Sequence, residues 1–442
     1  MPGKIRFGMV GTGFIADWVL AGARQDARFE AVAICSRTQE RADAFAAKHG
    51  IPHTFTLLEE MAASPLVDAV YIATPNFLHA SQSILCMRHG KHVLCEKPLA
   101  SNAREARQMV AVARECGVTL MEAMISTLNP NFRVVQEYLP RLGTIRRYFA
   151  SFCQYSSRYD KFRQGIVLNA FNPELSNGAM MDIGVYTVYP MVALFGRPLE
   201  VEAQGIVLSS GADGQGAVNF RYEGMNATVL YSKIANSSLP SEIQGEEGNL
   251  LLDAIHTIRD VAYLPRAAAA SGRGDAPVRH SVGLPLEKDT YYYEVAEFID
   301  LIEQGRIEST VNSHENSLVK MAIIAQERRQ LGVTYPADRL PQRCSACPSG
   351  PTNAVARPKP AICGRQTASG RERRGPKARL FAGNRGCETG CLPFPAGEGR
   401  PCPRIKQHGL SHAGTGRAVC HLRRVFVGAE DAPAAISSAG KP

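Results

Sequence analysis

Three short segments in the first hundred residues combine residue types that can hold a nucleotide and move a proton. The first is Gly11-Thr12-Gly13-Phe14-Ile15-Ala16, placed between the apolar run Ile5 to Val10 and an amphipathic stretch from Phe14 to Arg24. Strand, glycine turn and helix in that order aim free backbone N–H groups and the positive end of a helix at a pyrophosphate. Gly11 permits the turn, Gly13 lets backbone approach phosphate with no Cβ in the way, and Ala16 keeps the helix close to the strand. The second segment runs from Ala73 to His79. In it Thr74 and Pro75 can pack on a bound ring, and Asn76 can cap a helix or donate to a ribose; His79 reads either as a site residue or as an ordinary helix residue. The third is Cys95-Glu96-Lys97-Pro98, a charged pair at the end of a buried-type strand. Burial lowers a lysine pKa, which suits Lys97 to polarise a reacting oxygen or pass its proton while hydride leaves carbon. The plain alternative for Glu96 and Lys97 is a surface ion pair.

Which dinucleotide such a site takes is read at the end of the second strand, Phe29 to Cys35. An acidic residue is expected there to hold an adenosine ribose 2′-hydroxyl. The chain instead has Ser36-Arg37-Thr38. A hydroxyl beside a guanidinium accepts a 2′-phosphate that a carboxylate would repel. NADP(H) is therefore favoured, with NAD(H) as the alternative. The plain reading makes Arg37 a solvated cation and Thr38 the cap of the next helix.

These segments need a framework, and the first 123 residues supply one by repeating strand, turn and helix. Asp68 to Ala73, Lys91 to Cys95 and Val118 to Met121 read as further strands, and Phe77 to His89 and Ala103 to Cys116 as helices. Asn102 is placed to cap the latter with Glu105 reaching back, and Gly117 to close it. The alternation predicts a doubly wound parallel sheet over residues 1–123. After Ala123 the pattern changes. A helix is predicted over Pro130 to Leu142, followed by strands Thr144 to Tyr155, Val201 to Ser209, Gly216 to Tyr222 and Asn226 to Ile234. Helices return at Tyr291 to Glu303 and His314 to Leu331. Residues 124–340 thus read as an α+β domain with a largely antiparallel open sheet.

Residues 341–442 lose all periodicity and are rich in Gly, Pro and Arg, the composition of a segment that cannot bury a core. This tail holds 17 Lys/Arg against 5 Asp/Glu, a net +12. The whole chain carries +9, so residues 1–340 are left at −3. The body is slightly acidic, which removes the motive for nucleic-acid binding. Five cysteines are scattered singly through the body and seven lie in the tail. Cys344, Cys347, Cys387 and Cys391 are too irregularly spaced to predict a zinc site, so no metal is expected. The tail is expected to be disordered or a non-native extension, and ending the chain at Leu340 should preserve folding and activity. The most apolar later stretch, Ala179 to Phe195, contains Asp182 and falls short of a span. Without a signal-peptide pattern, a cytoplasmic protein is expected.

Taken together, G-x-G-x-x-A after the first strand, Thr-Pro-Asn-x-x-His after a later one and Glu-Lys-Pro after the next resemble the Gfo/Idh/MocA family of oxidoreductases. The resemblance covers residues 4 to about 335. It implies that Glu96 contacts the nicotinamide ribose and that Lys97 is the catalytic lysine beside the substrate carbinol. A fourth segment, Asn177 to Tyr186, resembles the family's G-x-x-x-D-x-G-x-H, with tyrosine in the last place as in its dihydrodiol dehydrogenase, glucose–fructose oxidoreductase and NADP-dependent xylose dehydrogenase branch. Asp182 and Tyr186 are four apart and so share one helix face. A tyrosine with its pKa lowered by Lys97 is a general acid/base, and Asp182 orients the pair or the substrate; otherwise Tyr186 is a packed aromatic. Arg158, Arg163 and Asn172 are candidate substrate contacts. The expected function is hydride transfer between NADP(H) and a secondary alcohol or hemiacetal of a sugar or trans-diol. The alternatives are an NAD-dependent glycosidase acting by transient oxidation and elimination, or a non-catalytic nucleotide-binding regulator. The resemblance further implies a homodimer or homotetramer paired through the open sheet face, and charge and hydropathy add no membrane and no nucleic-acid partner.

Overall fold

Short runs rich in Val, Ile, Leu and Ala form the first sheet in the computed structural model, which describes residues 3–266 and 278–339. Its strands are β1 (Ile5–Val10), β2 (Phe29–Cys35), β3 (His53–Phe55), β4 (Ala69–Ile72), β5 (His92–Glu96) and β6 (Leu120–Ala123). Between them run α1 (Phe14–Ala23), α2 (Gln39–His49), α3 (Leu58–Ala63), α4 (Asn76–Arg88) and α5 (Ala103–Cys116). All pairings are parallel, in the order β3-β2-β1-β4-β5-β6. The chain winds outward from β1 to β3, then outward the other way from β4 to β6. The carboxyl ends of β1 and β4 meet where that direction reverses, which is where such sheets bind ligands. Gly11 and Thr74 stand at those two ends. The strands are continuously apolar because helices cover both faces.

The doubly wound sheet agrees with the sequence reading, with one addition. His53–Phe55 is only three residues long and is recognisable as a strand through its pairing with Ala33 to Cys35. Helix α5 has the expected ends: the Asn102 side chain accepts from Arg104 N and Glu105 N, and Gly117 takes φ +65°. The Glu105 carboxylate reaches back one residue further, to Ser101 N.

Beyond β6 come α6 (Ile125–Leu128) and α7 (Pro130–Tyr138). The expected helix to Leu142 finishes instead as a 3₁₀ turn, Leu139–Leu142, because Pro140 has no N–H with which to continue the α pattern. The second sheet is built from β7 (Ile145–Cys153), β8 (Glu200–Val207), β9 (Asp213–Arg221), β10 (Asn226–Ser232), β11 (Ser241–Gly245), β12 (Gly248–Leu252), β13 (Val261–Pro265) and β14 (His280–Ser281). Its order is β14-β13-β12-β11-β7-β10-β9-β8, antiparallel except for the β7–β10 pair. Strands β11 to β14 are additions to the sequence reading; they are short, each pairs with the next in the chain, and only β11 also reaches a distant partner, β7. Helices α8 (Tyr159–Arg163) and α9 (Val185–Phe195) lie between β7 and β8, and α10 (Thr290–Glu303) and α11 (His314–Leu331) close the described chain.

One face of this sheet, with Tyr148, Ala150, Val229, Tyr231, Ile243 and Leu250, is buried against α9 and α11. The other carries Phe149, Leu230 and Leu251, each only partly covered. The last two helices return to the first sheet. Helix α10 packs on α1 so closely that a Cβ on Gly22 would lie 2.7 Å from that of Tyr291. In α11, Lys320 makes a fully buried 2.5 Å ion pair with Glu122 of β6. Among the described residues, Pro173–Phe195 is the one helical stretch long and apolar enough to cross a membrane, yet 72% of its most apolar window is buried inside the protein. The expectations for the basic tail and its cysteine pairs fall outside the described residues.

Candidate active site

The glycine turn has the form a pyrophosphate needs. Gly11 sits at φ +104°, and a Cβ there would stand 2.5 Å from the Ala73 carbonyl oxygen. Gly13 opens on empty space, with nothing within 4 Å of a Cβ position. Helix α1 has no side-chain cap, so its first-turn N–H groups stay available to an anion. Phe14 and Trp18 stand half-exposed beside the turn, edge to face at 4.9 Å. At the tip of β2, Ser36 N bonds to Phe55 O, and the Thr38 side chain caps α2 through Arg41 N. Thr38 therefore follows the plain reading. Arg37 is exposed and has no ion-pair or hydrogen-bond partner among the described residues, free to meet a phosphate.

The loop after β4 departs from expectation. Asn76 does not cap α4, whose N-cap is Pro75 without a side-chain bond. Its buried amide donates instead to Ser176 O (2.9 Å) and to the Asn177 side chain (2.8 Å), tying the first sheet to the segment that bears Asp182. Thr74 donates to Gln82 at 2.6 Å. His79 is buried, its ring nitrogens 2.9 and 2.8 Å from the carbonyls of Pro98 and Thr74. It clamps two site loops together rather than facing a ligand. Burial holds its pKa below the usual value.

Lys97 follows β5 on a loop whose Lys97–Pro98 peptide is cis. The loop is anchored where Leu99 N donates to the buried Glu122 carboxylate at 2.8 Å. The surface Glu96–Lys97 ion pair of the plain alternative does not form. Lys97 Nζ reaches across to the second domain, 2.7 Å from Asp182 O and 3.2 Å from Asp182 Oδ1. Glu96 turns inward, taking a hydrogen bond from the Tyr71 hydroxyl and one from Lys97 N at 3.2 Å. Alternation along the strand explains the split, since successive side chains leave on opposite sides. Burial lowers the Lys97 pKa against the opposing pull of Glu96, and burial raises that of Glu96.

Asp182 lies in a π turn, Met180–Gly184, that leads into α9. Asp213 holds the start of this turn, accepting from Met180 N at 2.6 Å. Gly184 lets it press on β10, since a Cβ there would meet Met180 Sδ at 2.8 Å and the Tyr231 ring at 3.0 Å. The wider turn breaks the α-helical spacing assumed for Asp182 and Tyr186. Lys97 therefore meets the carboxylate of Asp182 but the ring of Tyr186, with Nζ 4.9 Å from the ring centroid. The expected lowering of the Tyr186 pKa is reversed: burial, then Glu96 and Glu294, push it well above the usual value. An ammonium over the ring face cannot stabilise a phenolate oxygen as a direct hydrogen bond would. The Tyr186 hydroxyl has no protein partner among the described residues, so it remains a proton-bearing group open to a ligand.

Several neighbours escaped the sequence reading. Lys233, just past β10, is 4% exposed and ion-paired to the second carboxylate oxygen of Asp182. Burial, then Lys97 and Arg158, bring its pKa down to about 7. A lysine directly after a strand with alternating buried residues was the available signal. His256 stacks on Phe152 at 4.1 Å and stands edge-on to Tyr186 at 6.4 Å. Glu294 of α10 is fully buried, and neither carboxyl oxygen has a partner among the described residues; burial, then Glu96, raise its pKa well above normal. Of the three weaker candidates, Arg158 comes to the site, its guanidinium 5.8 Å from the Phe14 ring. Arg163 is exposed and lies 3.8 Å from Asp160. Asn172 is used locally, accepting from Glu174 N at 3.0 Å.

Residues 5–124 match the oxidoreductase family with NAD-binding Rossmann fold, GFO_IDH_MocA, and residues 140–251 match a GFO/IDH/MocA C-terminal domain. The chain is 49% identical over 335 residues to scyllo-inositol 2-dehydrogenase (NADP(+)) IolU of Bacillus subtilis, covering 76% of this chain and 99% of that one. It is 30% identical over 321 residues to a trans-1,2-dihydrobenzene-1,2-diol dehydrogenase of Xenopus tropicalis, covering 70% and 91%. The structure of KijD10, a 3-ketoreductase from Actinomadura kijaniata in complex with NADP and TDP-benzene, superposes with a TM-score of 0.63 at 25% identity, covering 74% of this chain and 98% of that one.

Proposed function

The chain belongs to the GFO/IDH/MocA family of oxidoreductases, and on that premise we propose that it transfers hydride between NADP(H) and a secondary alcohol or carbonyl of a polyhydroxylated substrate such as an inositol, a sugar or a trans-diol. The observation that carries the reading is Lys97 Nζ held on Asp182 and lying over the Tyr186 ring. The turn Gly11 to Ile15 would hold the pyrophosphate, Ser36 and Arg37 the 2′-phosphate, and Thr74, Pro75 and Glu96 the nicotinamide half. A nicotinamide bound there supplies the hydride acceptor or donor. In the oxidising direction the substrate hydroxyl gives its proton to the Lys97 amine, which burial makes accessible in its neutral form. In the reducing direction the Lys97 ammonium or the Tyr186 hydroxyl returns it. Asp182 fixes Lys97. The division of labour is residues 1–123 for cofactor and 124–340 for substrate. The same reading includes a homodimer or homotetramer in the cytoplasm, where the free thiols Cys35, Cys86, Cys95, Cys116 and Cys153 stay reduced.

Titrating the protein with NADPH and NADH, followed by nicotinamide fluorescence and transfer from the half-exposed Trp18, tests the cofactor; turnover of scyllo-inositol, aldoses and diols with NADP⁺ tests the reaction. Tighter NADPH binding with NADP⁺ turnover is expected. Cofactor retained through purification without net turnover would instead support the glycosidase, and failure to bind either nucleotide would sink the reading.

A further inference from the structure

Asp182 serves two lysines at once. Its Oδ1 and main-chain carbonyl take Lys97, and its Oδ2 takes Lys233. These lysines come from different sheets, one from the loop after β5 and the other from the end of β10. Lys233 is more enclosed than Lys97, with side-chain exposures of 5% and 14%. Its ammonium also lies 5.8 Å from the Phe171 ring. The charged groups facing it are Asp182 from the π turn, Lys97 from the β5 loop and Arg158 from the start of α8. Lys97 in turn faces Glu96, Tyr291 and Glu122. One carboxylate cannot neutralise two buried ammonium groups, because the second ammonium feels the first across the shared anion.

We propose that Lys97, Asp182 and Lys233 form one titrating unit in which Lys233 is a positioning residue, competing with Lys97 for a single carboxylate and so setting the protonation state of the lysine beside the substrate. This deepens the proposed function and rests on its assignment of Lys97. With both lysines protonated the unit carries one excess positive charge in a poorly hydrated place, and one proton leaves readily. The lysine that keeps its proton then has Asp182 to itself and holds that proton to much higher pH. Burial lowers both lysines, Lys233 to about 7, so the first proton is lost from the pair as a whole and part of the singly protonated unit has Lys97 neutral, the form that accepts the substrate proton. An enzyme built this way has an ionisation near neutrality that neither lysine would show alone.

The test is a pH titration of the full chain, loaded with NADP⁺ and labelled with ¹³C at lysine Cε. In the wild type one lysine should titrate near neutrality. In Lys233→Met it should disappear, the remaining lysine moving up by about one unit or more. Lys97→Met should remove it equally, which covers the case in which Lys233→Met does not fold. Lys233→Arg keeps a permanent cation on Asp182 and should retain a near-neutral ionisation, now belonging to Lys97. Lys91 and Lys320 also have pKa values lowered by burial. A near-neutral signal that persists in Lys233→Met belongs to one of them or to Lys97 uncoupled from Lys233, and overturns the proposal, as does a wild type with no such signal. Where NADP⁺-dependent turnover of scyllo-inositol is measurable, the matching limb of the kcat/KM profile should be lost in Lys233→Met and kept in Lys233→Arg. Wild-type turnover in Lys97→Ala would refute the catalytic reading of Lys97, and the titration still decides whether the two lysines are coupled.

Discussion

Lys97 owes its chemistry to its surroundings. A solvated lysine is charged at neutral pH and exchanges protons poorly there, whereas burial, against the opposing pull of Glu96, brings the neutral form of Lys97 within reach. Replacing Lys97 by Ala should lower kcat by on the order of 10²–10⁴-fold, the usual range for a lost general acid/base. The affinity for NADPH, measured by fluorescence titration, should barely change; equal losses in both would mean that Lys97 holds the cofactor rather than the proton. Arg37 offers a test of a different kind. It is exposed and without a protein partner among the described residues, so Arg37→Ala should leave thermal stability untouched. A charge-assisted contact to a 2′-phosphate is worth about 1.5–3 kcal/mol, so NADPH should bind roughly 10- to 100-fold more weakly with NADH unaffected. Parallel weakening of both nucleotides would remove Arg37 from the 2′-phosphate site.

Between residues and fold stand the elements that aim them, and the junction of β10 with α11 shows how this is done. Tyr231 of β10 donates to the buried Glu327 of α11 at 2.5 Å, on the strand that leads directly to Lys233. Burial, then Asp213, raise the Glu327 pKa from 4.5 to about 8. A carboxyl whose folded pKa is raised binds its proton more tightly in the folded chain. The stability linked to that proton is complete below about pH 4.5 and is lost progressively as pH rises toward about 8. The wild-type thermal midpoint should therefore fall between pH 5 and pH 8. Glu327→Gln, which cannot ionise, should flatten this fall. Parallel curves for the two proteins would show that Glu327 does not titrate in that window.

At the scale of the molecule, the described residues cover one face of the second sheet only partly. Phe149, Leu230 and Leu251 lie there among polar residues such as Arg147, Thr228 and Glu242, with Thr228 bonded to Asn219 and Asn249 to Glu242. An apolar centre with a polar surround suits a second copy of the chain. Sedimentation should find a dimer or larger species, and Leu230→Arg should shift it toward monomer while the thermal midpoint of the monomer stays measurable. A wild type that sediments as a monomer at micromolar concentration would end the proposal.

Much of this was legible in the sequence because it depends on local rules. Gly11, Gly13 and Ala16 announce a phosphate turn since only small residues allow its backbone geometry, and strand–helix alternation implies a parallel sheet because parallel strands need long crossovers. The caps at Asn102 and Gly117 and the bounds of α5 and α11 follow from the same short-range chemistry. What the sequence could not supply was decided by contacts between residues far apart. Asn76 abandoned a local cap for Ser176 and Asn177, a hundred positions on. Lys97 exchanged its neighbour Glu96 for Asp182, and Lys233 arrived at the same carboxylate from another sheet. The Tyr186 pKa rose because tertiary packing buried its ring and brought Glu96 and Glu294 near it. Residue types and spacing therefore determined the fold class and the kinds of group in the site. Ion pairing and protonation depend on burial and on distances through space, and only the tertiary structure set those.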